Sequence, residues 1–283
     1  MGEEGRAVLP DGFAFNQANL QDFVDCPRRF QLRYVQGKRW PAVAAEPLSE
    51  HETFVRRGAQ FHRLVERHQL GLPPESLVAG LDDPILRSWW DAYLSFAALH
   101  ALPGQRLPEF RLSGELFGVR VMAALDLVVV APGSQVTIFD WKTYSHMPAR
   151  SWLAARMQTV LYPYLVTAVG PLLWGEWLQP ELVSMVYWVP AVPDSPVTFQ
   201  HSAEQHRLNG ARLGELVRAI LGGEAGAVWP LTAETRLCAH CQFRSHCNRG
   251  TVAGALTELD DWEEVPLGEL DVLSFGDVAE VGF

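Results

Sequence analysis

No run in this 283-residue chain approaches the eighteen or so apolar residues that a membrane span requires. Its opening segment, MGEEGRAVLPDG, lacks the apolar stretch of a secretory signal. These two absences predict a cytoplasmic protein with no membrane partner. There is no internal repeat and no low-complexity tract, which excludes solenoids, propellers and collagen-like chains. A G-x-x-x-x-G-K-[ST] loop is also missing, so no ATP-driven motor of that type is present. Cysteine is scarce, at four residues. In a reducing compartment such thiols serve metals or chemistry more readily than disulfides.

Basic residues are absent from one region. Residues 251–283 hold nine carboxylates and no Lys or Arg, and they account for most of the net charge of −10. With nine of the 33 acids there, 24 remain against 23 bases. The body is therefore close to neutral, which is compatible with a local basic groove. The tail, ELDDWEEVPLGELDVLSFGDVAEVGF, has a composition common in segments that stay disordered until they dock. We place a folded domain at 13–250 and an acidic tail at 251–283.

What is present suits a packed core: 48% apolar residues and ten tryptophans. Apolar spacing predicts a short helix, a break at Cys26-Pro27 and a second helix over 15–35, then a loop at 41–51. Helices follow over roughly 52–70 and 84–101. The segment EFRLSGELFGVRVMAALDLVVVAPGSQVTIFDWKT changes to a period of two and reads as three strands, turning near Phe117-Gly118 and Pro132-Gly133-Ser134. A helix over 149–169, bent at Pro163, strands at 182–189 and 196–201, a helix at 202–221 and an irregular stretch at 230–250 complete the pattern. This is an α/β order on a small mixed sheet.

The sharpest chemical signal is Asp126, followed by Asp140-Trp141-Lys142. Residues i and i+2 of a strand share a face, so Asp140 and Lys142 point the same way, and Asp126 lies beside them if the hairpin register allows. Two carboxylates suit a hard cation such as Mg²⁺. The ion would polarise a phosphodiester and acidify a bound water, and a nearby ammonium would stabilise developing charge. A D-x-K triplet alone is also what an ordinary charged strand end looks like. Upstream, Gly58, His62 and Glu66 share one helical face, where the glycine would let another backbone approach and His62 could add an imidazole ligand. Downstream, Gln158 and Tyr162 are again one helical turn apart.

This order resembles the RecB/Cas4/AddB-like branch of the PD-(D/E)XK nuclease superfamily: Gly58-x-x-x-His62, then Glu109 or Glu115, Asp126, Asp140-Trp141-Lys142 and Gln158-x-x-x-Tyr162. The resemblance spans about 15–250. It implies the PD-(D/E)XK fold, a small mixed sheet flanked by helices. It also implies metal ligation by His62, Asp126, Asp140 and the main-chain carbonyl of Trp141, with Lys142 as the catalytic lysine. Glu109 is favoured over Glu115 as the upstream acid, and Gln158 and Tyr162 complete the site. Two positions depart from the family: Ala123 stands where a glycine is usual, and Asp140 where glutamate is commoner.

The cysteines fall as Cys26, then Cys238-x-x-Cys241 and Cys247. Buried thiols, a tetrathiolate zinc and a four-iron cluster are all compatible with their number. The spacing resembles the split [4Fe–4S] motif of the same branch, with one cysteine before the nuclease core and three after it. That implies a cluster stapling the N- and C-terminal subregions together.

The resulting expectation is a Mg²⁺- or Mn²⁺-dependent deoxyribonuclease, acting as an exonuclease on single strands or frayed ends. Its setting would be DNA repair or CRISPR-type processing, with a helicase or similar protein as partner and with oligomerisation open. The alternatives are a non-catalytic nucleic-acid-binding module that keeps the fold and cluster, and a zinc-stapled interaction protein.

Overall fold

The computed structural model describes residues 9–38, 48–131, 135–174, 178–224, 226–239 and 241–250. The acidic tail and the Pro132–Ser134 turn lie outside them. Helix α1 (Gln17–Asp25) opens with a reciprocal cap in which Asn16 and Asn19 each accept the other's backbone N–H at 2.9 Å. Cys26, in extended conformation, ends α1, and Pro27 starts α2 (Pro27–Phe30), which widens into a π turn over Gln31–Val35. The expected break is there because proline disfavours a helical residue before it and suits a first turn.

Helix α3 (Leu48–Gln69) starts earlier than expected and takes in the end of the segment read as a loop. The helix expected over 84–101 is divided, after a short α4 (Pro74–Leu77), into α5 (Pro84–Leu94) and α6 (Ala97–His100). Phe96 leaves the helical region between them, and its ring stacks on Trp188 at 5.0 Å. Tertiary stacking overrides local helix preference here.

Strands β1 (Gln105–Leu116), β2 (Val119–Ala131), β3 (Gln135–Trp141), β4 (Val183–Trp188) and β5 (Val197–Gln200) form one sheet in the order β1-β2-β3-β4-β5. Every step is antiparallel except β3–β4, which is parallel. A parallel step needs a crossover, and α7 (Arg150–Ala155) with α8 (Met157–Trp174) supplies it. The predicted bend at Pro163 is not where the helix divides. Arg156 is the extended residue between α7 and α8, with its guanidinium 4.5 Å from the Trp152 ring centroid, whereas Pro163 lies inside α8. Helix α9 (Ala203–Leu221), capped by Ser202, packs beside α8.

Two apolar cores flank the sheet. One packs α8, α9 and the N-terminal aromatics against residues such as Leu112, Val121 and Ile138. The other packs Phe61 of α3 and Trp89, Trp90 and Tyr93 of α5 against Phe139, Trp141 and Trp188. Both strands of the first hairpin exchange faces at one step. Val121, Ala123 and Leu125 face the first core, but so does Val128, while Leu127 and Val129 face the second. On β1, Phe110, Leu112 and Leu116 pack on the first core, and so does Leu107, an odd position. The ladder runs Pro108↔Leu127 and then Phe110↔Leu125, with no pairing between Glu109 and Asp126. Glu109 there has φ +46, a region unusual for any residue but glycine. The alternation of period two slips at this step, which carries two carboxylates.

Candidate active site

The broken step of the β1–β2 hairpin meets the end of the β2–β3 ladder. Its last pair is Leu127↔Phe139, and the next residues on the two strands are Asp126 and Asp140. Asp126 is turned toward β3 and α3: its Oδ2 accepts the Trp141 N–H at 2.7 Å, and its Oδ1 lies 3.4 Å from His62 Nδ1. Ligand atoms of His62, Glu109 and Asp126 all fall within 4.8 Å of one another, a separation suited to a single metal ion. Glu109, rather than Glu115, is the acid brought to this point. Glu115 pairs with Arg120 near the hairpin tip.

Charge is unbalanced here. Burial raises Glu109, the neighbouring Asp126 raises it further, and Glu66 adds to this; His62 and Arg111 oppose, and the result is a carboxyl pushed up to about 7. Burial would also raise Asp126, but His62, Lys142 and the Trp141 N–H together outweigh it and hold that carboxylate below its ordinary range. At neutral pH Asp126 is ionised while Glu109 shares a proton with solvent. Close carboxylates that cannot both ionise comfortably are what a divalent cation would relieve.

Beside this cluster is a buried ion pair, with Lys142 Nζ 2.9 Å from Asp140 Oδ1. The two share a face, as alternation along β3 requires. The close donor set therefore contains Glu109, while Asp140, expected among the ligands, holds the lysine. Tyr162 is fully buried on α8, and Gln158 donates to its hydroxyl at 3.4 Å. Burial raises the Tyr162 phenol well above its ordinary value, and the Asp140 carboxylate raises it further. Tyr187 was not singled out from the sequence. It is the β4 partner of Asp140, and its hydroxyl is 2.8 Å from Thr159 Oγ1. A lone Tyr inside the apolar run LVSMVYWV was the available signal. Gly58 makes a close approach, though to a side chain rather than a backbone: a Cβ there would stand 2.9 Å from Thr143 Oγ1.

The N- and C-terminal subregions are in direct contact. Phe30 stacks on Trp229 with centroids 5.9 Å apart, Arg28 N–H donates to Pro230 O at 3.1 Å, and the Trp229 N–H donates to Gln31 Oε1 at 3.0 Å. The four cysteines are free thiols in this region. Burial raises Cys238, Cys241 and Cys247, and the Cys26 thiol raises each of them further, while Arg29 acts on Cys238 and Cys241, and Arg28 on Cys247, in the opposite sense. Among the described residues no three of these sulfurs come within the 4.8 Å that defines the His62–Glu109–Asp126 group. No helix of the described residues is long and apolar enough to cross a membrane.

A family model described as the PD-(D/E)XK nuclease superfamily matches residues 14–248. Among solved structures, SSO0001 is similar at a TM-score of 0.39 and 12% identity, over 85% of this chain and 89% of that one. A protein from Eubacterium rectale, provisionally named an exonuclease, is similar at a TM-score of 0.45 and 11% identity, over 74% of this chain and 82% of that one. No curated protein matches.

Proposed function

This chain belongs to the PD-(D/E)XK nuclease superfamily, and we propose that it is a Mg²⁺- or Mn²⁺-dependent deoxyribonuclease, an exonuclease acting on single strands or frayed ends. The observation that carries this reading is the convergence of His62, Glu109 and Asp126 within 4.8 Å, beside the buried Asp140–Lys142 pair. The donor set fits a divalent ion: two carboxylates and an imidazole, with Glu109 raised to about 7 by burial and by the neighbouring Asp126. The imidazole favours Mn²⁺ over Mg²⁺, which prefers oxygen alone.

A bound ion supplies Lewis acidity and an acidified water for phosphodiester hydrolysis. His62, Glu109 and Asp126 would hold it, with Asp140 and the Trp141 carbonyl as the remaining proposed ligands. The Trp141 N–H fixes the Asp126 carboxylate, so the ligand is oriented before the ion arrives. Lys142, held by Asp140, stabilises charge as it develops on the phosphate. Tyr162 and Gln158 close the first-core side of that pair and exclude water from it.

Within the superfamily we place the chain in the RecB/Cas4/AddB-like branch, with a [4Fe–4S] cluster on Cys26, Cys238, Cys241 and Cys247. The spacing of the four cysteines and the union of the segments that carry them, through Phe30 with Trp229 and Arg28 with Pro230, support this, as do the guanidinium groups of Arg28, Arg29 and Arg249 nearby. Cationic neighbours suit a thiolate cluster, which carries net negative charge. DNA is the proposed partner, with a helicase or other repair or CRISPR protein supplying any unwinding.

The test is incubation of anaerobically purified protein with linear and circular single-stranded DNA and Mn²⁺ or Mg²⁺, beside an Asp140→Ala control. Metal-dependent loss of the linear strand alone, absent from the control, is expected. Cutting of the circle would convert the reading to an endonuclease. Cleavage of neither, by protein that still binds DNA, would favour a non-catalytic module.

A further inference from the structure

Arg111 stands two residues beyond Glu109 on β1. Its neighbours Phe110 and Leu112 face the α8 side of the sheet, so Arg111 projects to the other face, the side of α3 and His62. It is half-buried, and its positive charge acts on Glu109. Other cations near the site are committed: His62 to Asp126, Lys142 to Asp140, Arg57 to Asp83, and Arg106 to main-chain carbonyls. Among the described residues the Arg111 guanidinium makes no hydrogen bond or ion pair; its engagement is with the field of Glu109.

A guanidinium carries five donors in a rigid fork that matches phosphate oxygens. Partly removing it from water without filling those donors is unfavourable unless something compensates. The Glu109 carboxyl supplies part of that compensation. A divalent cation held by Glu109 would take up that countercharge and leave Arg111 with its donors unfilled. A phosphodiester oxygen beside the cation restores both.

We propose that Arg111 is a substrate contact that binds the phosphodiester of the nucleic-acid strand next to the metal site; this rests on the nuclease reading above. The guanidinium and the ion would then grip the backbone at two adjacent points. A strand whose phosphate lies too far out to reach both is held less tightly.

The experiment measures binding, not cleavage, of a short fluorescein-labelled oligothymidylate by the full chain in Ca²⁺ over a series of salt concentrations. It compares wild type, Arg111→Ala, Arg111→Lys and a control, Arg207→Ala, at an exposed position on α9. Loss of one phosphate contact should make the slope of log K against log[salt] shallower by about 0.7, as expected for one contact to a single strand. Arg111→Ala should also weaken binding about tenfold at low salt, an effect of the size expected for a charged hydrogen bond to phosphate. Arg111→Lys should keep the slope while losing part of the affinity, because a point charge replaces a fork.

A second measurement guards against misfolding: Mn²⁺ affinity, read from electron paramagnetic resonance. Removing a cation beside a metal site should leave that affinity equal or tighter, whereas a structural brace for Glu109 would weaken it. An unchanged salt slope in Arg111→Ala, or weakened Mn²⁺ binding, overturns the assignment while leaving the nuclease reading intact. A wild type that binds no DNA at any salt concentration overturns both.

Discussion

Replacing Asp140 by asparagine should cost about 3 kcal/mol of stability, and most of that loss should disappear when Lys142 becomes methionine in the same chain. The two side chains are 4% and 8% exposed, with their charged atoms 2.9 Å apart. Breaking a buried pair from one side leaves the other charge desolvated and costs about 3–5 kcal/mol, whereas replacing both members by uncharged groups is often nearly neutral. The lower end applies here because Asp126 also acts on Lys142 and would partly take over as its partner. A loss of about 3 kcal/mol lowers the folded-to-unfolded ratio roughly 150-fold. With a urea slope of about 3 kcal/mol per molar, the transition midpoint falls by about 1 M. Equilibrium urea unfolding in EDTA, followed by tryptophan fluorescence, would be run on wild type, both single variants and the double variant. A coupling energy near the single-variant loss is expected from the double-mutant cycle. Single variants that unfold with wild type, or a double variant whose loss equals the sum of the singles, would refute the reasoning. The result also bears on activity, since an inactive Asp140 variant is informative only while it remains folded.

Gly58→Ala should lower both stability and turnover, although alanine normally gains up to about 1 kcal/mol over glycine in a helix, because its methyl would stand 2.9 Å from Thr143 Oγ1. Adding Thr143→Ala should restore the loss; a more stable or more active Gly58→Ala would show that the close approach is unimportant. His201 is lowered to about 4, first by burial and then by His206. Its folded value lies below its unfolded one, so the unfolded chain takes the proton first as pH falls. The contribution is full above about pH 6.5 and is lost on the way to about pH 4, roughly 3 kcal/mol in total. Urea midpoints at pH 7 and pH 4.5 should therefore differ less in His201→Gln than in wild type, and equal differences would exclude the effect. Cys26→Ser should abolish the broad visible absorbance of anaerobically purified protein and lower its melting temperature; a colourless wild type that contains zinc would remove the cluster.

Much of the architecture could be read from the chain because local and tertiary preferences agree. Pro27 ends one helix and starts the next whatever packs around it, and the strand period through Val121, Ala123 and Leu125 fixes β2. The misses arise where packing overrides local preference. Phe96 gives up helical geometry to stack on Trp188, and Arg156, not Pro163, divides the crossover helices. His62, Asp126, Asp140 and Lys142 are brought to one end of the sheet, because motif spacing along strands and a helix constrains direction. The sequence did not reveal that Glu109 would join the close donor set through a residue at φ +46, nor that both strands change faces there. A pattern of period two has no way to announce its own slip. Tyr187 and Arg111 were hidden for a simpler reason: each belongs to an ordinary strand pattern and acquires meaning only from what lies across the sheet.

The union of Phe30 and Gln31 with Trp229 has a consequence in time. Gln31 and Trp229 are 198 residues apart. At synthesis rates of about 5–20 residues per second, the ribosome needs roughly 10–40 s to deliver the second partner after the first. Throughout that interval Phe30 and Gln31 have left the ribosome without the partner that covers them. These residues are thus made early and meet their last partner late. A chaperone that shields them would be expected to raise the yield of folded protein more than one that acts on the β1–β2 hairpin, whose strands meet within seconds of their synthesis.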